Sequence, residues 1–203
     1  MKFINNSSDL AKFLSIKIIR QSKITNISTD TRGLKVGSLF FAIKGVQFNG
    51  NDYVEDALKK GASFVVTDSS RFKSTNDKNI IYVNNTIVAL RKIAKNILKT
   101  FNGDVIGITG SNGKTTTTKI ISSVLNKSSG TIKNYNNEIG MPLSIINANA
   151  NSKYLVIEMG AAKPKDIQYL SSYKKKKSRF IIKNNFTKKS VNDGISNILK
   201  EIT

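Results

Sequence analysis

The segment Thr109-Gly110-Ser111-Asn112-Gly113-Lys114-Thr115-Thr116 has the residue types that bind a phosphate chain. Glycines let successive backbone N–H groups turn inward around an anion, and a helix starting at Lys114 adds the partial positive charge of its N-terminus. At this spacing the Lys114 ammonium reaches the β- and γ-phosphates of a nucleotide, and the Thr115 hydroxyl ligates Mg2+. The usual phosphate loop has a glycine five residues before Gly113, where Ile108 stands. The nearest glycines are Gly107 and Gly110, so the loop reads as a shortened variant. The plainer alternative, a glycine turn joining a strand to a helix, gives no reason for Gly-Lys-Thr-Thr at the helix start. Glu158 follows the apolar run Tyr154-Leu155-Val156-Ile157, and strands of a parallel sheet deliver functional groups at their C-terminal ends. There it is either a Mg2+ ligand, direct or through water, or a solvated strand-end glutamate. Asn134 to Pro142 clusters amides before a glycine and a helix-opening proline; alone it reads as a loop, with nucleotide contact the alternative.

The elements that must position these groups follow from periodicity. Val105 to Thr109 reads as a buried strand and Lys114 to Asn126 as a helix, while Pro142 fits the first turn of another helix. Tyr154 to Ile157 is the next strand, and Pro164 opens a helix running towards Ser172. Strand, glycine loop, helix, strand is the order of a parallel sheet with crossovers. Upstream, Leu39 to Ile43, Phe64 to Thr67 and Ile80 to Val83 read as strands. Tyr53 to Lys60, stopped by Gly61, and Thr86 to Thr100 read as helices. The turn Phe101-Asn102-Gly103-Asp104 is the expected boundary between two α/β domains, 1–103 and 104–203.

Composition narrows the chemistry. The 203 residues contain no Cys, so neither disulfides nor thiolates are available, and a reducing cytoplasm is the expected location. They contain no His either, which removes the commonest general base and metal ligand. The longest apolar run, Leu39 to Ile43, falls far short of a bilayer span, so no membrane insertion is expected. The formal charge of +20 invites a nucleic-acid reading. However, 28 of the 33 cations are Lys, accompanied by 23 Asn and 27 Ile, the pattern of AT-rich coding. Arg, the better reader of bases and phosphates, occurs five times, so no nucleic-acid partner is expected. The last 30 residues alone carry a net +7.

Together these residues resemble the Mur ligases of bacterial cell-wall synthesis. Thr109 to Thr116 has the form of that family's phosphate loop. Asn136-Asn137-Glu138-Ile139-Gly140-Met141-Pro142 and Ile157-Glu158-Met159-Gly160-Ala161 look like the branch that joins D-alanyl-D-alanine to UDP-N-acetylmuramoyl-tripeptide. Ile27 to Arg32, Gly37 to Gly45 and Phe48 to Asp52 are similar to the family's domain for the UDP-linked substrate. The resemblance implies an α/β protein: a small N-terminal substrate domain followed by a parallel-sheet ATP-binding domain. It implies that Ser28, Asp30, Arg32, Lys44 and Gly45 hold the UDP-sugar end. Thr109, Gly110, Ser111, Asn112, Gly113, Lys114, Thr115 and Thr116 would cradle ATP, with Asn136 and Asn137 lining the ATP and acceptor side. Lys114 and Glu158 would serve catalysis, and Thr115 with Glu158 would serve Mg2+. The implied reaction activates the tripeptide carboxylate as an acyl phosphate, which the D-alanyl-D-alanine amine then attacks. A cytoplasmic monomer is expected.

The match weakens after Ser172. The family continues there with a histidine-containing loop and later a carbamylated lysine, for which Lys200 is a candidate. Asn51 stands where the family often has histidine, and Lys133 where it often has glycine. The family's third domain is also missing from the match, so the chain is expected to end inside the central domain. The expectation is therefore a truncated or inactive ligase fragment, or alternatively a nucleotide-binding module without ligase activity.

Overall fold

Every residue of β2 (Ser38–Phe41) and β3 (Phe64–Thr67) is buried, as expected of strands covered on both faces of a parallel sheet. A computed structural model describes residues 2–18, 20–110, 112–131 and 136–160, the backbone of 180–183, and residues 193 and 196. The chain divides into two compact units, Lys2–Ile97 and Leu98–Thr203. Both are α/β, and both sheets are parallel throughout.

The first unit has four strands in the order β1-β2-β3-β4, with β1 Asn26–Ser28 and β4 Ile80–Tyr82 at the edges. Phe40, Ala42 and Val65 pack with Val54 and Ala57 of α2 (Val54–Lys59), and with Ala62 and Phe72. Helix α3 (Thr86–Thr100) buries Ala89, Leu90, Ile93, Ala94 and Ile97, the i, i+1, i+4, i+5, i+8 stripe of one helical face. Burying each such Leu or Ile contributes roughly 1.5–3 kcal/mol before the entropy of ordering is subtracted. The helix expected over 53–60 is divided: a 3-10 turn over Gly50–Tyr53 precedes α2. Helix α1 (Ser7–Leu14) and strand β1 were not anticipated. Both are short, and β1 contributes one buried residue, Ile27.

The second unit has the strand order β6-β7-β5-β8, comprising β5 Asp104–Thr109, β6 Ser128–Gly130, β7 Tyr154–Glu158 and β8 Phe180–Lys183. Helix α4 (Lys114–Val124) lays Ile121 on Ile106, Ile108 and Val156, with Leu125 just beyond its end joining the same cluster. Helix α5 (Gly140–Ile146) carries Pro142 in its first turn, where the missing N–H is harmless. Register places Ile108 of β5 opposite both Glu158 of β7 and Ile182 of β8. Parallel neighbours in that register release their C-terminal residues at one edge of the sheet. The phosphate loop therefore leaves beside Glu158. The helix expected after Pro164 lies outside the described residues. Among the described residues, no helix is long and apolar enough to cross a membrane.

Candidate functional site

Thr109 ends β5, and the chain turns through Gly110 at φ 155° and Gly113 at φ 72° before α4 begins at Lys114. The Gly113 conformation lies in the left-handed region, which glycine enters without a Cβ clash. Gly113 also occupies the N-cap of α4, so the N-cap residue itself contributes no side-chain cap. A helix that starts on a glycine turn brings its first-turn amides to the loop, the arrangement that receives an anion. Lys114 folds back so that Nζ donates to the Gly110 carbonyl at 2.7 Å, which places the ammonium over the loop. Asn112 and Thr116 are exposed, and Ser111 lies outside the described residues. Thr117 and Thr118 are buried, and the Thr118 hydroxyl donates to the Lys114 carbonyl at 2.8 Å. Gly107, considered above for the loop, is a mid-strand residue of β5 facing Ile157. A Cβ there would stand 2.8 Å from Met159 Cε, so its lack of a side chain makes room for Met159.

Glu158 is 1% exposed. The Thr115 hydroxyl donates to its Oε2 at 2.9 Å, and Asn136 Nδ2 donates to its Oε1 at 2.7 Å. None of the ion pairs among the described residues involves it. A buried carboxylate beside a hydroxyl is a hard-oxygen donor set of the kind Mg2+ takes, since that ion uses one or two carboxylates and completes its shell with phosphates and water. Among the described residues, no three His, Cys, Asp or Glu cluster as a metal cage. The residues present therefore fit an ion that arrives with a phosphate chain. Asn137 is engaged differently: its Oδ1 accepts from the backbone N–H of Ile139 at 3.1 Å and of Gly140 at 2.7 Å, covering the start of α5. The two neighbouring asparagines thus divide between the carboxylate and the helix.

In the first unit, Ser28 closes β1 and its Oγ accepts from the Asp30 N–H at 3.0 Å. The Asp30 carboxylate then grips the Arg32 guanidinium, with Nη2 to Oδ2 at 2.6 Å and Nε to Oδ1 at 3.0 Å. Hydrogen bonds from the Arg32 side chain and backbone hold the Asp30 carboxyl down at about 2. The guanidinium itself stays 89% exposed, oriented by Asp30 yet open to a ligand. Lys44 and Gly45 follow β2, the parallel neighbour of β1, and so emerge at the same sheet edge. They form a tight turn in which the Gly45 N–H donates to the Phe48 carbonyl at 2.8 Å, and Lys44 pairs with Asn49.

Two contributors, Thr131 and Asp68, have no counterpart among the residues singled out in the sequence. Thr131 accepts the Glu158 N–H on its hydroxyl at 2.6 Å. Asp68 accepts from Asn51 Nδ2 at 2.8 Å and from the Thr86 N–H and hydroxyl at 3.0 Å. Asn51 in turn accepts the Thr67 hydroxyl at 2.6 Å, which ties the turn after Lys44 to the end of β3. Burial raises the Asp68 carboxyl, but those hydrogen bonds outweigh it and leave the group below its ordinary value. A polar residue directly after an apolar strand was the one available signal for Asp68.

Two parallel sheets, with a glycine loop and a carboxylate at adjoining strand ends of the second, define an α/β protein, and sequence comparison gives its family. Residues 108–181 match the Mur ligase middle domain, and residues 23–101 match the domain described as Mur ligase family, catalytic domain. The chain belongs to the Mur ligase family. Within it, the chain is 37% identical over 186 residues to the UDP-N-acetylmuramoyl-tripeptide–D-alanyl-D-alanine ligase of Buchnera aphidicola subsp. Baizongia pistaciae, covering 80% of this chain and 40% of that protein. It is 38% identical over 157 residues to the ligase of the same name from Bacillus subtilis, covering 74% of this chain and 34% of that protein. Among solved structures, the MurF ligase of Thermotoga maritima in complex with ADP superposes with a TM-score of 0.67 at 30% identity, covering 86% of this chain and 43% of that one. MurF from Acinetobacter baumannii gives 0.72 at 26% identity, covering 85% and 39%. The chain thus spans 34–43% of the length of these four proteins.

Proposed function

We propose that this chain supplies the substrate-binding and ATP-binding parts of a ligase that joins D-alanyl-D-alanine to UDP-N-acetylmuramoyl-tripeptide in peptidoglycan synthesis. The observation that carries the reading is the Thr115–Glu158 contact of 2.9 Å beside the glycine turn that opens α4. Residues 109–116 bind the ATP phosphates, and Lys114 neutralises charge developing on the γ-phosphoryl group. Thr115 and Glu158 would hold Mg2+, which would supply charge screening of the phosphate oxygens. Asn136 holds the free oxygen of Glu158 in place, and Asn137 shapes the acceptor side by fixing the start of α5. In residues 1–103, Arg32 and Lys44 meet the diphosphate of the UDP-sugar, with Ser28 and Asp30 orienting Arg32 and Gly45 bringing backbone close to the ligand. The tripeptide carboxylate then attacks the γ-phosphate, ADP leaves, and the dipeptide amine displaces phosphate from the acyl phosphate. No protein nucleophile is needed, so a chain without Cys or His can still carry the first step. The protein acts in the cytoplasm as a monomer in this reading.

Calorimetric titration with UDP-N-acetylmuramoyl-tripeptide and with ATP plus Mg2+ tests both halves; failure of both ligands to bind overturns the reading. Phosphate release that rises on adding D-alanyl-D-alanine marks a ligase. Binding of both ligands without that rise marks a nucleotide-binding module that lacks the ligation step.

A further inference from the structure

Strand β6 pairs with β7 through Ser128↔Tyr154, Ser129↔Leu155 and Gly130↔Val156. The ladder extends one bond further, with the Thr131 N–H donating to the Val156 carbonyl at 3.0 Å. A regular parallel ladder would next send the Glu158 N–H to the Thr131 carbonyl. It goes instead to the Thr131 hydroxyl, at 2.6 Å, and that hydroxyl lies 3.5 Å from the Val156 carbonyl as donor. A side chain thus replaces a backbone acceptor at the residue that carries the site's carboxylate.

On its other side Glu158 is opposite Ile108, and the Met159 N–H donates to the Ile108 carbonyl at 2.8 Å. Its two carboxylate oxygens are divided between Thr115 and Asn136. Of the groups fixing the Glu158 backbone, the Thr131 hydroxyl is the one that reaches its own N–H. Without it, a nearly buried amide loses its acceptor and the strand end relaxes away from β6.

We propose that Thr131 is a positioning residue: its hydroxyl holds the Glu158 backbone so that the carboxylate stays against Thr115 and sets the affinity of the site for Mg2+. The inference rests on Glu158 acting as a Mg2+ ligand. Groups that orient a metal-binding carboxylate typically change metal affinity when removed, although they never touch the ion.

The test is the Mg2+ concentration needed for half-maximal tightening of ATP binding, read by calorimetry alongside Mg2+-free ATP affinity and thermal midpoint. Thr131→Val keeps the shape and removes the hydroxyl; Thr131→Ala removes it without a buried methyl pair, should Val fail to fold. Both should raise the Mg2+ midpoint about 10-fold and leave Mg2+-free affinity unchanged, while Thr131→Ser keeps the wild-type midpoint. A purely structural role would lower the thermal midpoint and leave the Mg2+ midpoint in place, which overturns the proposal. A Ser variant shifted as far as Val also overturns it. Glu158→Gln separates the two layers: if it leaves the Mg2+ midpoint unmoved, the metal-ligand reading fails and this inference goes with it. If Glu158→Gln shifts the midpoint and Thr131→Val does not, only this inference fails.

Discussion

The Thr115 hydroxyl donates to Glu158 Oε2 across 2.9 Å, although 43 residues separate the two in sequence. The contact exists because β5 and β7 run parallel and adjacent with Ile108 opposite Glu158, so helix and strand end meet at one sheet edge. The hydroxyl keeps its lone pairs while its proton points at the carboxylate, leaving an oxygen free for a cation. Thr115→Val should therefore lose the Mg2+-dependent gain in ATP affinity, by about 10-fold, while the Mg2+-free affinity set by the loop amides persists. Titration of ATP with and without Mg2+ reads both numbers.

Gly160 lacks a side chain where one would strike Asn136. An ideal Cβ would lie 2.7 Å from the Asn136 carbonyl and 3.1 Å from its Oδ1. Gly160→Ala must push Asn136 away and break its 2.7 Å bond to Glu158. The expected loss is about 1–3 kcal/mol of stability in urea unfolding. Gly33, with nothing within 4 Å of its ideal Cβ, is the control, and Gly33→Ala should stay within about 0.5 kcal/mol.

Asp30 titrates low because the Arg32 side chain and backbone donate to it. The sign follows from its depressed value: the pair contributes fully above the ordinary carboxyl value of 3.8 and is lost as pH falls towards about 2. Carboxyl carbon NMR should give a midpoint near 2 for Asp30, returning towards 3.8 in Arg32→Ala. The ion pair is solvent-exposed, so its removal should change folding stability little while freeing Arg32 to wander.

Asp68 joins α3 to the segment after Lys44. Its carboxylate accepts from the first N–H of α3 and from Asn51, and Asn85 Oδ1 accepts from the Val88 N–H at 2.9 Å. Asp68→Ala should cost about 1–2 kcal/mol, the range for losing a helix-capping acceptor. The stabilisation is present above the ordinary carboxyl value and fades as pH falls through the lowered one. Urea unfolding at neutral and acidic pH checks both the size and the sign.

Much of this was legible in the residues. The phosphate loop announces itself because backbone chemistry dictates its glycines, and Thr86–Thr100 because its apolar stripe is long enough to show a period. Helix α1 escaped notice because it is short and its C-terminal signal is missing: Asn6 is a regular N-cap accepting from the Asp9 N–H, but Ser15 takes the left-handed turn at φ 56° that a glycine would have signalled. Strands β1 and β6 are three residues each, and Ser128–Gly130 is polar throughout, so neither shows an alternation. The pairings of Glu158 with Asn136 and Thr131 depend on register between distant strands, which no local pattern encodes.

If residues 109–116 form a nucleotide phosphate site, ATP affinity in Mg2+ must differ sharply between wild type and Lys114→Ala. Removing the ammonium that now rests on the Gly110 carbonyl should weaken binding at least about 30-fold, roughly 2 kcal/mol. Equal affinity in the two proteins, or no ATP binding by the wild type, would contradict the account.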